Sequence, residues 1–315
     1  MLQITNFDTA PVAKYTFYGG NAGAKEAIVY NDYTWMVKYP KTTRDLLNPQ
    51  ISYTTSPLSE YIGSKIYEVL GIPVHETILG IRKNKVVVAC KDFTKNKVGQ
   101  GSMVDKAYLI PFHDLKNNFM SSDIDEYSGT GSETLLEEVL ATINGQDSLK
   151  AIPGVMERFW DMFVIDAFIG NNDRNNGNWG ILIDAISREI SLAPVYDNGN
   201  AFFNKRGISQ MQKRLGNTAE MKDDAYNIAC AFKYTGLDNE GHKINPFDFI
   251  KEGENKDCIK AVARFVNAVD MVEVESVINN IPEQVGMLAI MPQGQKDFYV
   301  ELLRIRLSLI EEGLK

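Results

Sequence analysis

The opening third of the chain is patterned for strands around a single helix. Ala27 to Tyr30 and Tyr33 to Tyr39 are β-rich runs. Asn31-Asp32 separates them, and both residues tolerate left-handed turns, which predicts a hairpin. On the second run Trp35, Val37 and Tyr39 share one face and Met36 and Lys38 the other, because side chains alternate along a strand. A lysine in mid-strand either snorkels from an edge or is placed for a task. A helix follows, with Ser56 as N-cap, Pro57 in the first turn and Gly71 as its stop. Leu58, Ile62, Ile66 and Val69 supply its apolar stripe. Further strands are predicted over Glu76–Ile81 and Lys85–Lys91.

Beyond about residue 96 the pattern is mostly helical. Gly99 to Ser132 is polar and irregular and reads as long loops. Helices are predicted at Glu133–Ile143, Val155–Ile169, Asp257–Ile278 and Gln295–Glu312. The C-terminal stripe of Leu302, Leu303, Ile305, Leu307 and Ile310 reads as core packing. The block from Gly170 to Asn204 is non-helical, with short strands at Trp179–Ile183 and Glu189–Leu192. Strands first and helices after, with a cleft between, fit an α+β protein of two lobes, residues 1–95 and 96–315.

Composition narrows the chemistry. The 315 residues, 44% of them hydrophobic, suffice for a substantial core. A formal net charge of -8 argues against bulk attraction to nucleic acid. Cys90, Cys230 and Cys258 are widely spaced, as are His75, His113 and His242. They suit free thiols in a reducing compartment better than a disulfide framework or a zinc site. No secretory signal pattern opens the chain, and no apolar run approaches the ~18 residues of a membrane span. A soluble cytoplasmic protein is expected, although export by a specialised route would leave no such mark.

The densest polar constellation is Gly170 to Gly180, GNNDRNNGNWG. Asp173 and Asn178 stand five positions apart within it, and Asp197 follows in APVYDNG, where the next strand ends. Phosphoryl transfer needs one carboxylate near the attacking hydroxyl and another on magnesium, with an amide oxygen commonly completing the metal shell. The D-x-x-x-x-N spacing is that of kinase catalytic loops. A calcium loop starting at Asn171 would need glycine at 176 and an acid at 182; Asn176 and Leu182 stand there, so that reading fails. A purely structural Asn/Gly-rich turn is the remaining bland alternative.

DRNNGNWG and APVYD resemble the catalytic and metal-binding segments of HipA-like kinases, in particular the compact CtkA-type members. WMVKYP around Lys38, SEYIGSKIYEVLG around Glu60, VVVACKDF ending at Phe93 and RFWDMFVIDAFIGNNDR ending at Arg174 are similar too. The likeness covers most of residues 15 to 205. It implies a two-lobed protein-kinase-like fold and transfer of phosphate from ATP, with Mg²⁺, to serine or threonine of a protein substrate. On this likeness Asp173 orients or deprotonates the acceptor hydroxyl, while Asn178 and Asp197 hold magnesium. Lys38 meets the α- and β-phosphates, Glu60 pairs with Lys38, and Ala89, Cys90, Lys91, Asp92 and Phe93 form the adenine hinge. It extends to a growth-arresting toxin or effector role with an antitoxin partner.

Three features complicate this picture. The family usually carries histidine two positions after the catalytic aspartate, and Asn175 stands there. An amide donates a hydrogen bond but does not titrate near neutral pH, so slow turnover is expected if that histidine moves a proton. Glu60 falls opposite the apolar stripe, where a solvated glutamate fits as well as a cleft-lining one, and Glu68 is its substitute. The run Tyr18 to Lys25, including Gly20, Asn21, Ala22 and Gly23, reads equally as a phosphate-covering loop or a plain turn, since it lacks full G-x-G-x-x-G spacing. Ser52 to Ser56 is a candidate autophosphorylation loop. Two other functions fit the same residues: a lipid or small-molecule kinase, and a catalytically silent nucleotide-binding module.

Overall fold

A computed structural model describes residues 1–14, 16, 18, 24–99, 105–120, 134–236 and 240–315. Strands β1 (Thr5–Asn6), β2 (Lys25–Tyr30), β3 (Tyr33–Lys38), β4 (Thr77–Arg82) and β5 (Lys85–Lys91) form one sheet, ordered β1-β4-β5-β3-β2. Every neighbouring pair is antiparallel except β1 and β4. Both tight hairpins use left-handed residues, Asn31 and Asp32 between β2 and β3 and Lys83 and Asn84 between β4 and β5. That backbone twist matches the twist of the strands. Helix α1 (Ser56–Val69) joins β3 to β4 and packs on β4 and β5. Thr55, rather than Ser56, is its N-cap, and Pro57 occupies the first turn.

The second, larger lobe is mostly helical. Strand β6 (Ala107–Pro111) leads into α2 (Phe112–Met120), followed by α3 (Leu136–Gly145), α4 (Asp147–Lys150) and the central α5 (Val155–Ile169). Strands β7 (Gly180–Asp184) and β8 (Ile190–Leu192) complete an antiparallel sheet ordered β6-β7-β8. Helices α6 (Ile208–Leu215) and α7 (Thr218–Tyr226), the ribbon of β9 (Lys233–Thr235) and β10 (Gly241–Lys243), and α8 (Pro246–Glu252) come next. Helices α9 (Lys256–Ala268) and α10 (Met271–Asn279), the ribbon of β11 (Gln284–Val285) and β12 (Leu288–Ala289), and α11 (Gln293–Glu311) end the chain.

Several elements depart from the sequence expectation. The polar stretch after residue 99 holds β6 and α2 rather than loops alone; β6 is half-buried and short, so its alternation is faint. The expected helix at 257–278 is two helices. Val269 leaves helical geometry, and the Asp270 side chain accepts the Val272 N–H at 2.8 Å to start α10. The helix expected from Glu133 begins at Leu136, and residue 133 itself lies outside the described residues.

Aromatic side chains fill the core around α5. Phe159, Trp160 and Phe163 are buried with Phe232, and Phe112 stacks on Trp179 with ring centroids 4.0 Å apart. That stack ties α2 to the loop entering β7. Leu302, Leu303 and Ile310 of α11 are buried in the same core.

Gly63 on α1 faces the chain after β8 closely; a Cβ there would lie 2.9 Å from the Asn198 Cβ. Helix propensity favours alanine by about 1 kcal/mol, whereas overpacking costs about 1–3 kcal/mol. Gly63→Ala is therefore expected to lower the urea midpoint, and an unchanged or higher midpoint would show that the contact yields freely.

Candidate active site

The polar loop follows directly from how α5 ends. Gly170 takes the left-handed conformation that stops the helix, at φ 71°, and residues 171–179 then carry the chain into β7. Asp166 sits in the otherwise apolar last turns of α5 and is buried. It pairs with the buried Arg174, whose Nε and Nη2 donate to its two carboxylate oxygens at 2.8 and 3.1 Å. Tyr67 Oη on α1 and Asn171 Nδ2 also donate to Asp166, at 2.9 and 3.1 Å.

Arg174 spends its remaining donors on the segments that matter. Its Nη1 donates to the carbonyls of Asn178, at 2.9 Å, and Tyr196, and its Nη2 to the Asn198 side-chain oxygen at 2.5 Å. All five guanidinium N–H groups are thus used. Burial works against its charge, but Asp166 outweighs that and holds the Arg174 pKa above its usual value. One side chain thereby fixes Asn178 and both neighbours of Asp197. Asp197 itself takes a left-handed backbone, φ 61°, which aspartate tolerates better than most residues.

The chain from β8 to Asp197 is also held from the other lobe. The Val195 N–H donates to the Pro73 carbonyl, and the His75 N–H to the Val195 carbonyl, each at 2.9 Å. Lys38, projecting from β3, lies between the two lobes, with its Nζ 2.7 Å from Glu60 Oε2 and 2.9 Å from Asp197 Oδ1. Burial lowers the Lys38 pKa, but the Asp197 and Glu60 carboxylates more than compensate and raise it above its usual value. Burial pushes Glu60 the opposite way, yet Lys38 and His75 hold its carboxyl well below the usual range.

Glu60 is fully buried, not solvated. The face of α1 opposite its apolar stripe is covered by the segment around Asn198, whose backbone N–H donates to Glu60 Oε1 at 3.0 Å. His75 Nε2 lies 3.0 Å from the same oxygen, a contact the sequence reading missed because no motif marks that residue. Glu60, His75 and Cys90 present donor atoms within 4.8 Å of one another. Both Glu60 oxygens are already engaged, so the cluster reads as a charge network. The substitute acid, Glu68, pairs instead with Lys65 on the helix surface.

Asp173 is at the surface, with its backbone N–H bound to Asn171 Oδ1 at 3.2 Å. Asn175 Nδ2 donates to Asp173 Oδ1 at 3.0 Å, and Asn175 Oδ1 accepts the Gly177 N–H at 2.9 Å. The amide at 175 therefore positions the carboxylate. Surrounding protein raises the Asp173 pKa; the Asn175 bond opposes this and the Asp197 charge adds to it. Asn178 Nδ2 donates to the Asp173 carbonyl at 2.6 Å, and its amide oxygen accepts from none of the described residues.

Lys38, Asp173, Asn175, Asn178 and Asp197 all line one cleft of about 940 Å³ between the sheet and the β6–β7 region, within the usual size of a small-molecule site. Cys90, Lys91, Asp92 and Phe93 line it too, but Ala89 is buried in the sheet and does not. The Lys91 and Asp92 N–H groups are taken by the carbonyls of Glu76 and Thr34, each at 2.9 Å. Tyr18 Oη reaches over the cleft to Asp92 Oδ2 at 2.8 Å. Gly20, Asn21, Ala22 and Gly23 lie outside the described residues. In the Ser52–Ser56 run Ser52 and Tyr53 are exposed, whereas Thr54 is buried.

Residues 20–270 match the HipA-like C-terminal domain family. The serine/threonine-protein kinase CtkA of Helicobacter pylori strain J99 is 36% identical over 294 residues, which is 93% of this chain and 82% of that protein. The crystal structure of a Helicobacter pylori proinflammatory kinase CtkA superposes with a TM-score of 0.83 at 32% identity, covering 99% of this chain and 96% of that one. HipA from Shewanella oneidensis MR-1, solved with HipB and operator DNA, gives 0.56 at 12% identity over 96% of this chain and 66% of that chain, a likeness of fold alone.

Asp166→Ala is expected to destabilise the protein by about 3–5 kcal/mol, because it leaves the Arg174 charge buried without its partner. Equilibrium urea unfolding measures this, and a loss below about 1 kcal/mol would contradict the clamp described here.

Proposed function

This chain belongs to the HipA-like serine/threonine-protein kinase family, and from that premise we propose that it transfers the γ-phosphate of ATP, with magnesium, to a serine or threonine of a protein substrate. The observation that carries the reading is the convergence of Lys38, Asp173, Asn178 and Asp197 on one cleft. We place the boundary between the lobes after β5, near residue 95, so that the nucleotide lies between them.

The donors suit a small, hard cation. The Asp197 carboxylate is one-third exposed and the Asn178 amide oxygen accepts from none of the described residues, and magnesium takes oxygen ligands while keeping several waters. These two residues would hold the ion, which supplies charge neutralisation to the phosphates when bound. Lys38, kept charged by its acidic neighbours, would meet the α- and β-phosphates. Glu60 holds the Lys38 ammonium in place and is itself oriented by His75 and Asn198.

Asp173, steadied by Asn175, would orient the acceptor hydroxyl and accept its proton. Its raised pKa improves it as a base, since the most effective catalytic base has a pKa near the working pH. Asn175 cannot itself carry that proton. Its bonds to Asp173 and Gly177 support a positioning role. The share of the work left to Asp173 is correspondingly large. The same cleft would serve a lipid or small-molecule acceptor, and a silent nucleotide-binding module would share its binding residues.

Transfer to protein acceptors, including the chain itself, is read by intact mass after incubation with magnesium and ATP. Asp173→Asn should lower the rate by about 10²-fold or more while magnesium-ATP still raises the melting temperature. Chelation of magnesium should abolish transfer in the wild type. Because the base must be ionised, activity should fall as pH drops through the raised Asp173 pKa, with the acid limb above the ordinary aspartate range. Equal incorporation by wild type and Asp173→Asn would reject the assignment. Stabilisation by magnesium-ATP with no transfer from the wild type would favour the silent module.

A further inference from the structure

A second cavity, of about 450 Å³, adjoins the same two catalytic segments. Asn172, the neighbour of Asp173, and Asn200, three residues past Asp197, share its wall and are hydrogen-bonded to each other. Its charged lining is basic: Lys205, Arg206 and Arg306. That is a local reversal of sign in a chain whose formal net charge is -8.

The three cations are not equally satisfied. Arg206 forms a bidentate pair with Asp224, the carboxylate that also meets Arg214 at 3.6 Å. Lys205 is exposed and forms no ion pair among the described residues. Arg306 is only 1% exposed, yet it has no ion pair with a described carboxylate. Its bonds are two long ones, from Nε to the Ala225 carbonyl at 3.3 Å and from Nη1 to the Phe168 carbonyl at 3.4 Å. Its Nη2 donates to no described residue.

The surroundings are built around that guanidinium. The guanidinium packs directly over Gly170, where a Cβ would lie 2.5 Å from Arg306 Nη1 and push the group from its present place at the cavity wall. Phe202 and Phe203 both adopt left-handed backbone, φ 58° and 52°, a conformation rarely seen in bulky residues. Such strain persists where the surroundings over-determine it, and it gathers at functional sites. Here it sets the Phe203 ring in the wall, with the Arg206 and Arg306 guanidinium carbons 4.1 and 5.8 Å from its centroid. Burial pulls the Arg306 pKa down to about 9, with Asp224 only partly offsetting it. A buried cation with unmatched donors is a waiting partner for an anion.

We propose that this pocket is an acceptor-side anion site, which holds a carboxylate or phosphate carried by the protein substrate on a residue flanking the phosphorylated serine or threonine. The inference rests on the phosphotransfer reading above and gives its substrate a chemistry. An extended peptide advances about 3.3–3.6 Å per residue. With the acceptor hydroxyl at Asp173, a side chain a few positions away can pass the Asn172–Asn200 pair and enter the pocket.

The test is a set of serine peptides in which glutamate, phosphoserine or glutamine is placed at each flanking position in turn. An anion at one position should raise kcat/KM roughly tenfold over glutamine, mainly through KM, the scale of one charge-assisted hydrogen bond. Lys205→Glu should erase that ratio, and Arg306→Gln should do the same where it folds. Preference for glutamate as well as phosphoserine marks a carboxylate site, and preference for phosphoserine alone marks a phosphate site. Equal rates for anionic and neutral peptides, or a preference that survives Lys205→Glu, would overturn the proposal. If no peptide and no residue of the chain itself is phosphorylated, the kinase reading fails instead. Calorimetric titration of the phosphoserine and glutamine peptides without ATP then decides the pocket. Tighter binding of phosphoserine, lost in Lys205→Glu, supports it, and equal binding of the two peptides rejects it.

Discussion

The convergence of distant segments on one cleft depends on the buried guanidinium of Arg174. It is anchored by Asp166, at the end of α5, and grips the Asn178 and Tyr196 carbonyls together with the Asn198 side chain. A hairpin of two short strands, β7 and β8, separates those segments. Its strands pair within the three-stranded sheet with β6, but Asn178 and residues 196–198 lie beyond those pairings, so something else must fix their relative position. A planar group with five fixed donors can do so, because each bond constrains direction as well as distance. Burial makes the arrangement demanding, since every donor left unmatched in that environment would be costly.

The second constraint is a chain of charge running between the lobes. Lys38 comes from the sheet, Glu60 from α1 and Asp197 from the far lobe, and the first and last are 159 residues apart in sequence. The two carboxylates hold the ammonium charged despite its burial, while His75 and the Asn198 N–H occupy the oxygen of Glu60 that Lys38 leaves. Asn198 therefore belongs to both networks, accepting from Arg174 and donating to Glu60 and Ser64. Movement of one lobe against the other would be felt at Asp197 through Lys38.

Much of this was legible from residue order. The Asn31-Asp32 hairpin, α1, β4, β5 and α5 all follow from local chemistry: left-handed turn residues, a proline in the first turn, and apolar periodicity. The D-x-x-x-x-N spacing and the aspartate after the next strand marked Asp173, Asn178 and Asp197. What escaped depends on tertiary contact. A helical wheel sets Glu60 opposite the apolar stripe and cannot know that the Asn198 segment covers that face. His75 stands in no motif. The Asp166–Arg174 pair did leave a signal, a lone acid in the apolar run FVIDAFI, because a buried charge demands a partner. The split between α9 and α10 was hidden by apolar periodicity that continues across Asp270, a residue that caps one helix after interrupting another. The basic pocket is assembled from residues as far apart as Gln50 and Arg306 and has no linear signature at all.

A crystal structure of the chain with magnesium and a non-hydrolysable ATP analogue tests the central claim most directly. The account predicts one ion bound to both the Asn178 amide oxygen and the Asp197 carboxylate, at about 2.0–2.1 Å, with Lys38 against the α- and β-phosphates and the γ-phosphate facing Asp173. A nucleotide seated elsewhere, or a metal that ignores Asp197, would contradict it.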